Sequence, residues 1–335
     1  MSKTYIPQGY KSKLSLYETQ HAISAIHEIF EKKLGEALDI IRVSAPLFVE
    51  PQTGLNDDLN GVERAVRFDV KETGRDAVVV HSLAKWKRMA LKAYDFPIGK
   101  GIYTDMNAIR RDEDMDNIHS IYVDQWDWEK VISRDQRCIE YLYDTVEKIV
   151  CAICDTQDEL IERFPMLSSR LCRDVSFVTS QELEDMYPQM TSKERENAYL
   201  REHKTAFISK IGGKLRSGKP HDGRAPDYDD WQLNGDIMFW NEILGQAFEI
   251  SSMGIRVDEA SLDMQLSAAD ADDRRGLTFH KMLLGGELPL TIGGGIGQSR
   301  LSMLLLEKAH IGEVQSSVWD DDTISACKMC GISLL

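Results

Sequence analysis

Three consecutive glycines, Gly293-Gly294-Gly295, followed by Gly297 and then by Arg300 at the head of an apolar run (Leu301, Met303 to Leu306), constrain this chain more than any other segment. Without Cβ atoms a backbone can lie against a flat ligand, and an arginine just beyond it is held beside whatever rests there. A nucleotide is the ligand such a surface favours. The competing reading of the same glycines is a tight strand-to-helix turn with no ligand at all.

Two nucleotide signatures are excluded. The dinucleotide fingerprint needs G-x-G-x-x-G after a strand and an acidic residue about 20 positions later; Gly295-Ile296-Gly297-Gln298-Ser299-Arg300 ends in arginine, and too little chain follows for another βαβ unit. Gly213-Lys214-Leu215-Arg216-Ser217-Gly218-Lys219 begins like a phosphate-binding P-loop, but Pro220 stands where a magnesium-binding hydroxyl and a helix start are required.

A chain of 335 residues can bury a large core, and no repeat or Pro/Gly/Ser linker divides it, which predicts a single domain over 1–335. The net charge of -15 disfavours a nucleic-acid partner, whose phosphates call for lysine and arginine. No apolar run is long enough for a membrane span, and Met1-Ser2-Lys3-Thr4-Tyr5 lacks the apolar core of a signal peptide, so the expectation is a cytoplasmic protein acting on small molecules. The pairs Cys151/Cys154 and Cys327/Cys330 have a metal-ligand spacing, but the first lies in a helical pattern and the second in a short tail; scattered thiols are the better reading.

Ala22, Ile23, Ile26, Phe30 and Leu34 recur at helical spacing up to Gly35, and Ile40 to Val49 reads as a strand containing Pro46. A helix capped by Ser82 follows, with Leu83, Trp86 and Ala90 inward and Lys87 at the margin. Runs 101–109 and 120–128 predict a long hairpin; period two puts Val123, Gln125 and Asp127 on one face and Tyr122, Asp124, Trp126 and Trp128 on the other. The polar face is either a solvated edge or a pocket wall. Residues about 140–205 read as a helical insertion, and 234–240 with 247–256 as a second hairpin in which Glu249 and Ser251 share a face and Asp236 approaches Glu249. Two carboxylates so placed repel unless a cation joins them, as Mg²⁺ does when it accompanies a nucleotide triphosphate.

The Pro46 strand, the charged loop opened by Ile109-Arg110 and the Gly-rich Arg300 segment resemble, in this order, the three signature motifs of class II aminoacyl-tRNA synthetases, above all the aspartyl and asparaginyl enzymes. With the segments 81–88, 122–129, 224–231 and 248–256 added, nearly the whole chain resembles the ammonia-dependent aspartate–ammonia ligases, asparagine synthetase A. The resemblance implies an α+β fold, an antiparallel sheet flanked by helices as in the class II catalytic domain, working as a homodimer. It implies ATP, L-aspartate and ammonia as substrates, with Mg²⁺ alongside ATP, and a β-aspartyl-adenylate that ammonia converts to asparagine and AMP.

The same resemblance implies roles. Arg110, or its neighbour Arg111, would hold the α-phosphate and Arg300 the adenine or γ-phosphate; Asp229, Ser251, Ser252 and Gly293, Gly294 and Gly295 would complete the ATP site. Asp236 and Glu249 would hold the metal. Lys87 and Arg256 match positions that in aspartyl-type enzymes read the side-chain carboxylate, with Gln125 and Asp127 near the α-amino group and Ser82 assisting, and Asp57, in a lid at 56–61, would take a proton from ammonium. Three rivals remain at this level: a compact aspartyl- or asparaginyl-tRNA synthetase, opposed by the early Pro46 strand and the acidity; a non-catalytic synthetase-like module, opposed by the retained Arg110, Arg300, Asp236 and Glu249; and a glutamine-dependent synthetase, opposed by Ser2 where an N-terminal cysteine is needed.

Overall fold

A computed structural model describes residues 4–57 and 63–335. Helix α1 (Leu16–Leu38) starts at a capping box in which Ser15 and Glu18 satisfy each other's backbone N–H groups, and it buries Ala22, Ile26, Phe30 and Leu34 as the periodicity predicts. It runs through Gly35 and ends at Asp39, which takes the left-handed conformation instead. The predicted Pro46 strand divides. Strand β1 (Ile40–Arg42) joins the main sheet, β2 (Phe48–Val49) joins a small one with β3 (Arg67–Val70) and β4 (Arg75–Val79), and Pro46 sits in the connection. A residue without an N–H cannot extend the ladder, so the chain changes sheets there.

Helix α2 (Ala84–Ala93) leads into the predicted hairpin, β5 (Gly101–Ile109) and β6 (Tyr122–Val131), paired from Gly101↔Lys130 to Ile109↔Tyr122. The segment 140–205 holds more than helices. Between α3 (Ile139–Arg163) and the pair α4 (Ser180–Met186) and α5 (Ser192–His203) lies strand β7 (Ser176–Thr179), which pairs in parallel with β8 (Thr205–Ser209). The second predicted hairpin is β9 (Asp229–Asn241) with β10 (Gln246–Arg256); α6 (Glu259–Ala268) and α7 (Thr278–Leu284) then cap one end. The glycine-rich segment is strand β11 (Thr291–Gly297), not a turn, and Arg300 lies in the first turn of α8 (Gln298–Leu305); α9 (Asp321–Met329) closes the chain.

The main sheet runs β1-β5-β6-β11-β10-β9-β8-β7. From β5 to β8 it is antiparallel, as predicted, but each edge pair, β1 with β5 and β8 with β7, is parallel, so the sheet is mixed. Parallel neighbours need a crossover, supplied at one edge by the small sheet with α2 and at the other by α4 and α5. One face packs on α1 and α3, where Trp126 and Trp128 are fully buried and Phe30 meets Trp126 ring to ring at 4.8 Å. The opposite face is left to a cleft.

Candidate active site

On that opposite face a cavity of about 330 Å³ is walled by β6, β10, β11, the loop after β5 and the segment 222–228. Three guanidinium groups, Arg110, Arg224 and Arg300, line it. Arg300 donates to the Glu249 carbonyl at 3.2 Å and stands 3.6 Å from its carboxylate; Arg224 pairs with Asp236. Arg110 differs in having no ion pair to a described residue; its Nε, like that of Arg224, is buried with no hydrogen-bond partner among the described residues. Arg111 is exposed and absent from the lining, so of the two neighbours it is Arg110 that the fold turns into the cleft.

Below the floor lies a buried ionic network. Lys87, fully buried, pairs with Asp127, donates to the carbonyls of Trp128 at 2.9 Å and Gly294 at 3.2 Å, and lies 3.9 Å from Glu129. Arg256 donates twice to Glu129, at 2.8 and 3.0 Å, pairs with Asp229, and lies over the Tyr228 ring. Thr291 donates to the other Glu129 oxygen at 2.7 Å. Burial pushes the Lys87 ammonium pKa down against the pull of Asp127, and the Arg256 charge adds to the fall. For Glu129 burial pushes upward, but Arg256 and Lys87 outweigh it and leave the carboxyl below its ordinary value. Three carboxylates, Asp127, Glu129 and Asp229, thus share two cations; burial leaves the Asp229 carboxyl raised despite Arg256, and one Asp127 oxygen is buried with no partner among the described residues.

The glycines make this arrangement possible. On β11, Gly293 faces Glu129, Gly295 faces Asp127 and Gly297 faces Gln125 across the ladder. A Cβ on Gly293 would come within 2.3 Å of the Glu129 carboxylate and 2.7 Å of the Trp128 carbonyl, and one on Gly295 within 2.3 Å of the Gln125 side chain. Gly294 faces the core against Met253. Only Gly295 and Gly297 open onto the cleft, so the bare backbone expected at Gly293 to Gly295 is shifted along the strand.

A β-bulge between Glu249 and Ser251 overturns the expected common face. Ser251 lies opposite Ile237 and Ile296, both core residues, and its buried hydroxyl has no partner among the described residues. Ser252, opposite Asp236 and Gly295, takes the cleft position. Asp236 and Glu249 do share the cleft face. Burial, and then the Glu249 charge, hold the Asp236 carboxyl up at about 7 despite Arg224, whereas Arg224 itself is raised by the pairing. Both shifts are upward: Arg224 answers to several carboxylates, so Asp236 remains short of positive charge. No cluster of three or more His, Cys, Asp or Glu suited to a metal occurs among the described residues. Asp236, held short of positive charge, and Glu249, which has Arg300 beside it, would together offer oxygens to a divalent cation that draws its others from phosphate and water.

Other expected residues lie at the margin. Ser82 accepts from the Ala84 N–H at 3.1 Å, so its hydroxyl serves the start of α2. Asp57 is buried; its carbonyl meets His81 Nδ1 at 2.9 Å, and its charge helps raise the Tyr228 hydroxyl, which burial raises most. The rest of the expected lid, 58–61, falls outside the described residues. Each Cys-x-x-Cys pair has one buried thiol, pushed up by burial to about 12 at Cys154 and about 11 at Cys327, and one exposed thiol. Sequence reasoning passed over Glu129, Arg224 and Tyr228. Glu129 was within reach, being the next residue on the Gln125–Asp127 face; Arg224 lies in a loop with no periodicity to point it anywhere.

The profile of a protein family described as aspartate-ammonia ligase matches residues 17–331. Aspartate–ammonia ligases of Ruminiclostridium cellulolyticum and Clostridium tetani are 59% and 58% identical, covering 100% and 98% of this chain and 100% and 97% of their own; that of Lactobacillus johnsonii is 58% identical over 98% of this chain and 99% of its own. Among solved structures, asparaginyl-tRNA synthetase from Entamoeba histolytica with asparaginyl-adenylate aligns with a TM-score of 0.63 at 12% identity, covering 90% of this chain and 66% of that one. The Pyrococcus horikoshii asparaginyl-tRNA synthetase with asparaginyl-adenylate gives 0.62 at 13%, covering 94% and 74%. At that identity the likeness is one of fold: the class II synthetase catalytic domain.

Proposed function

The chain belongs to the aspartate–ammonia ligase family, and from that premise we propose how its cleft carries the reaction. The protein is a ligase that forms asparagine from aspartate and ammonia. In our reading the β-carboxylate of aspartate attacks the α-phosphorus of ATP, and the bond to the bridging oxygen breaks, releasing pyrophosphate with its electron pair. Ammonia then attacks the activated carboxyl carbon, the C–N bond forms, AMP departs with the C–O electrons, and the nitrogen sheds a proton.

The observation that carries this reading is Arg110, a guanidinium turned into an acidic cleft with a buried donor unpartnered among the described residues. A donor in that condition gains most from an oxyanion, and charge develops on the α-phosphate as the carboxylate attacks. Arg300, across the cleft, would hold the adenine or the γ-phosphate, with Gly295 and Ser252 beside it and Asp229 behind, through Arg256. Because the β-carboxylate must face the phosphate, the carboxylate left for Lys87 and Arg256 is the α-carboxylate. Gln125 and Asp127 would take the amino group, and Asp57 the proton from ammonium. Asp236 and Glu249 would hold Mg²⁺; when bound, it neutralises the phosphate charge against which pyrophosphate leaves.

We further infer a homodimer, supported by the exposed apolar side chains of Ile41 on β1, Phe48 on β2 and Leu47 just before it; sedimentation should give a dimer that Phe48→Asp weakens. A reducing, cytoplasmic setting is supported by six free thiols. The whole reading is tested by incubation with aspartate, ATP, Mg²⁺ and ammonium: AMP, pyrophosphate and asparagine should form in equal amounts. ADP and orthophosphate would overturn it.

A further inference from the structure

A second buried ionic cluster lies outside the cleft. Asp227, wholly inaccessible, accepts at one carboxylate oxygen from three donors: Lys85 Nζ at 3.1 Å, Arg274 at 3.0 Å and His280 Nε2 at 2.9 Å. The three come from separate elements. Lys85 is in the first turn of α2, Arg274 in the 3-10 turn 272–276, and His280 in α7. Asp227 itself immediately precedes Tyr228, on the cleft wall, and Asp229, which holds Arg256.

Two geometrical links join this cluster to the aspartate subsite. Lys85 and Lys87 stand two residues apart on one helix, so they leave it about 200° apart. With Lys85 fixed on Asp227 and Lys87 on Asp127, α2 is pinned from both sides and can neither roll nor slide without breaking a buried ion pair. The second link runs through Leu277, between Arg274 and His280. An added Cβ at Gly54 would meet Leu277 at 2.8 Å, and Gly54 has the positive φ of +70° that suits only glycine well. Leu55 packs on the α6–α7 core, and from there Asn56 accepts from the His81 N–H at 2.8 Å while the Asp57 carbonyl meets His81 Nδ1. The segment carrying Asp57 is thus seated on the hairpin that Asp227 holds.

We propose that Asp227 is a positioning residue for aspartate: without touching substrate, it fixes Lys87 through Lys85 and fixes Asp57 through the 272–280 hairpin. This rests on the reading of Lys87 as a carboxylate ligand. None of the four side chains of the cluster lines the cleft itself, and its two links run to Lys87 and Asp57, so its loss falls on aspartate more than on ATP.

The test uses the full chain and ATP–pyrophosphate exchange, with KM for aspartate and for ATP measured separately and Tm alongside. Asp227→Asn takes the buried carboxylate away from Lys85 and can fail to fold, so the deciding variant is Lys85→Met/Asp227→Asn, which removes a charge pair together and restores Tm. Expected is an aspartate KM raised by about 10- to 100-fold in the double variant at unchanged ATP KM, the scale of a ligand group displaced by about an ångström. If aspartate KM returns to the wild-type value together with Tm, Asp227 is structural only and the proposal fails. An equal loss for both substrates also overturns it. Lys87→Met separates the two ideas: no effect on aspartate KM removes the subsite reading itself, whereas a large effect there with none in the double variant removes only the role of Asp227.

Discussion

Replacing Glu129 by glutamine would remove the charge that holds the floor of the cleft together while changing its shape by almost nothing. Glu129 accepts from Arg256 twice and from Thr291, and lies 3.9 Å from Lys87. Both cations keep a second carboxylate, Asp229 for Arg256 and Asp127 for Lys87, so neither is left bare. Removing one member of a buried ionic set typically costs about 3–5 kcal/mol, and the retained partners argue for the lower half of that range. Unfolding entropy near Tm is about 2.1 cal/mol/K per residue, about 0.7 kcal/mol/K for a chain of this length, so Tm should fall by about 4–6 °C.

The pH dependence of that deficit has a fixed sign. Because the folded pKa of Glu129 lies below its ordinary value of 4.5, its charge stabilises the fold above that value, and the contribution is lost as pH falls through the folded pKa. Scanning calorimetry on both proteins should therefore show the full gap above about pH 5 and a shrinking gap at lower pH. In catalysis the aspartate KM should rise with ATP KM unchanged. A gap below about 1 °C at neutral pH, or one that widens on acidification, would refute the reasoning, since the first denies the buried pairing and the second its charge.

Lys87→Ala should cost aspartate use on the order of 10²-fold in kcat/KM, and Arg300→Ala should instead raise the ATP requirement; steady-state kinetics with each substrate varied in turn would expose a reversed assignment. Since Asp236 is held at about 7 by burial and by Glu249, arrival of a divalent cation with ATP should expel a proton near neutrality, seen as a buffer-dependent binding enthalpy in calorimetry and lost in Asp236→Asn. Ser252→Ala should weaken ATP binding, whereas Ser251→Ala, which deletes a buried hydroxyl with no partner among the described residues, should leave ATP use intact and raise Tm slightly; equal kinetic effects from the two serines would contradict the bulge.

What could be read from the sequence, and what could not, divides along one physical line. Alternation on β6 was legible because a strand with a buried face repeats strictly every two residues, and it put Gln125 and Asp127 together on the face that became the cleft. The same rule misled on β10. One extra residue, Ile250, reverses the inside and outside of the residues that follow it, and no side-chain pattern marks where a ladder slips. The glycines of β11 gave a third outcome: their composition pointed to the close approach of a flat ligand, but what approaches Gly293 is the protein's own Glu129 and Arg256, brought from 164 and 37 residues away in the chain.

Those contacts follow from the sheet order β6-β11-β10, in which the last strand formed is inserted between two earlier ones. Local propensity carries no information about such an insertion. Charge behaved likewise. Lys87 reads as the margin of an amphipathic helix, yet it is buried together with Lys85 and Arg88, because the carboxylates that neutralise Lys85 and Lys87, Asp227 and Asp127, arrive from other elements, while Arg88 donates to the carbonyls of Pro289 and Val257. A helix with cations on two sides can be drawn inside only if its partners are already in position, which makes α2 the element whose placement depends most on the rest of the fold and the one through which aspartate binding is most open to distant substitution.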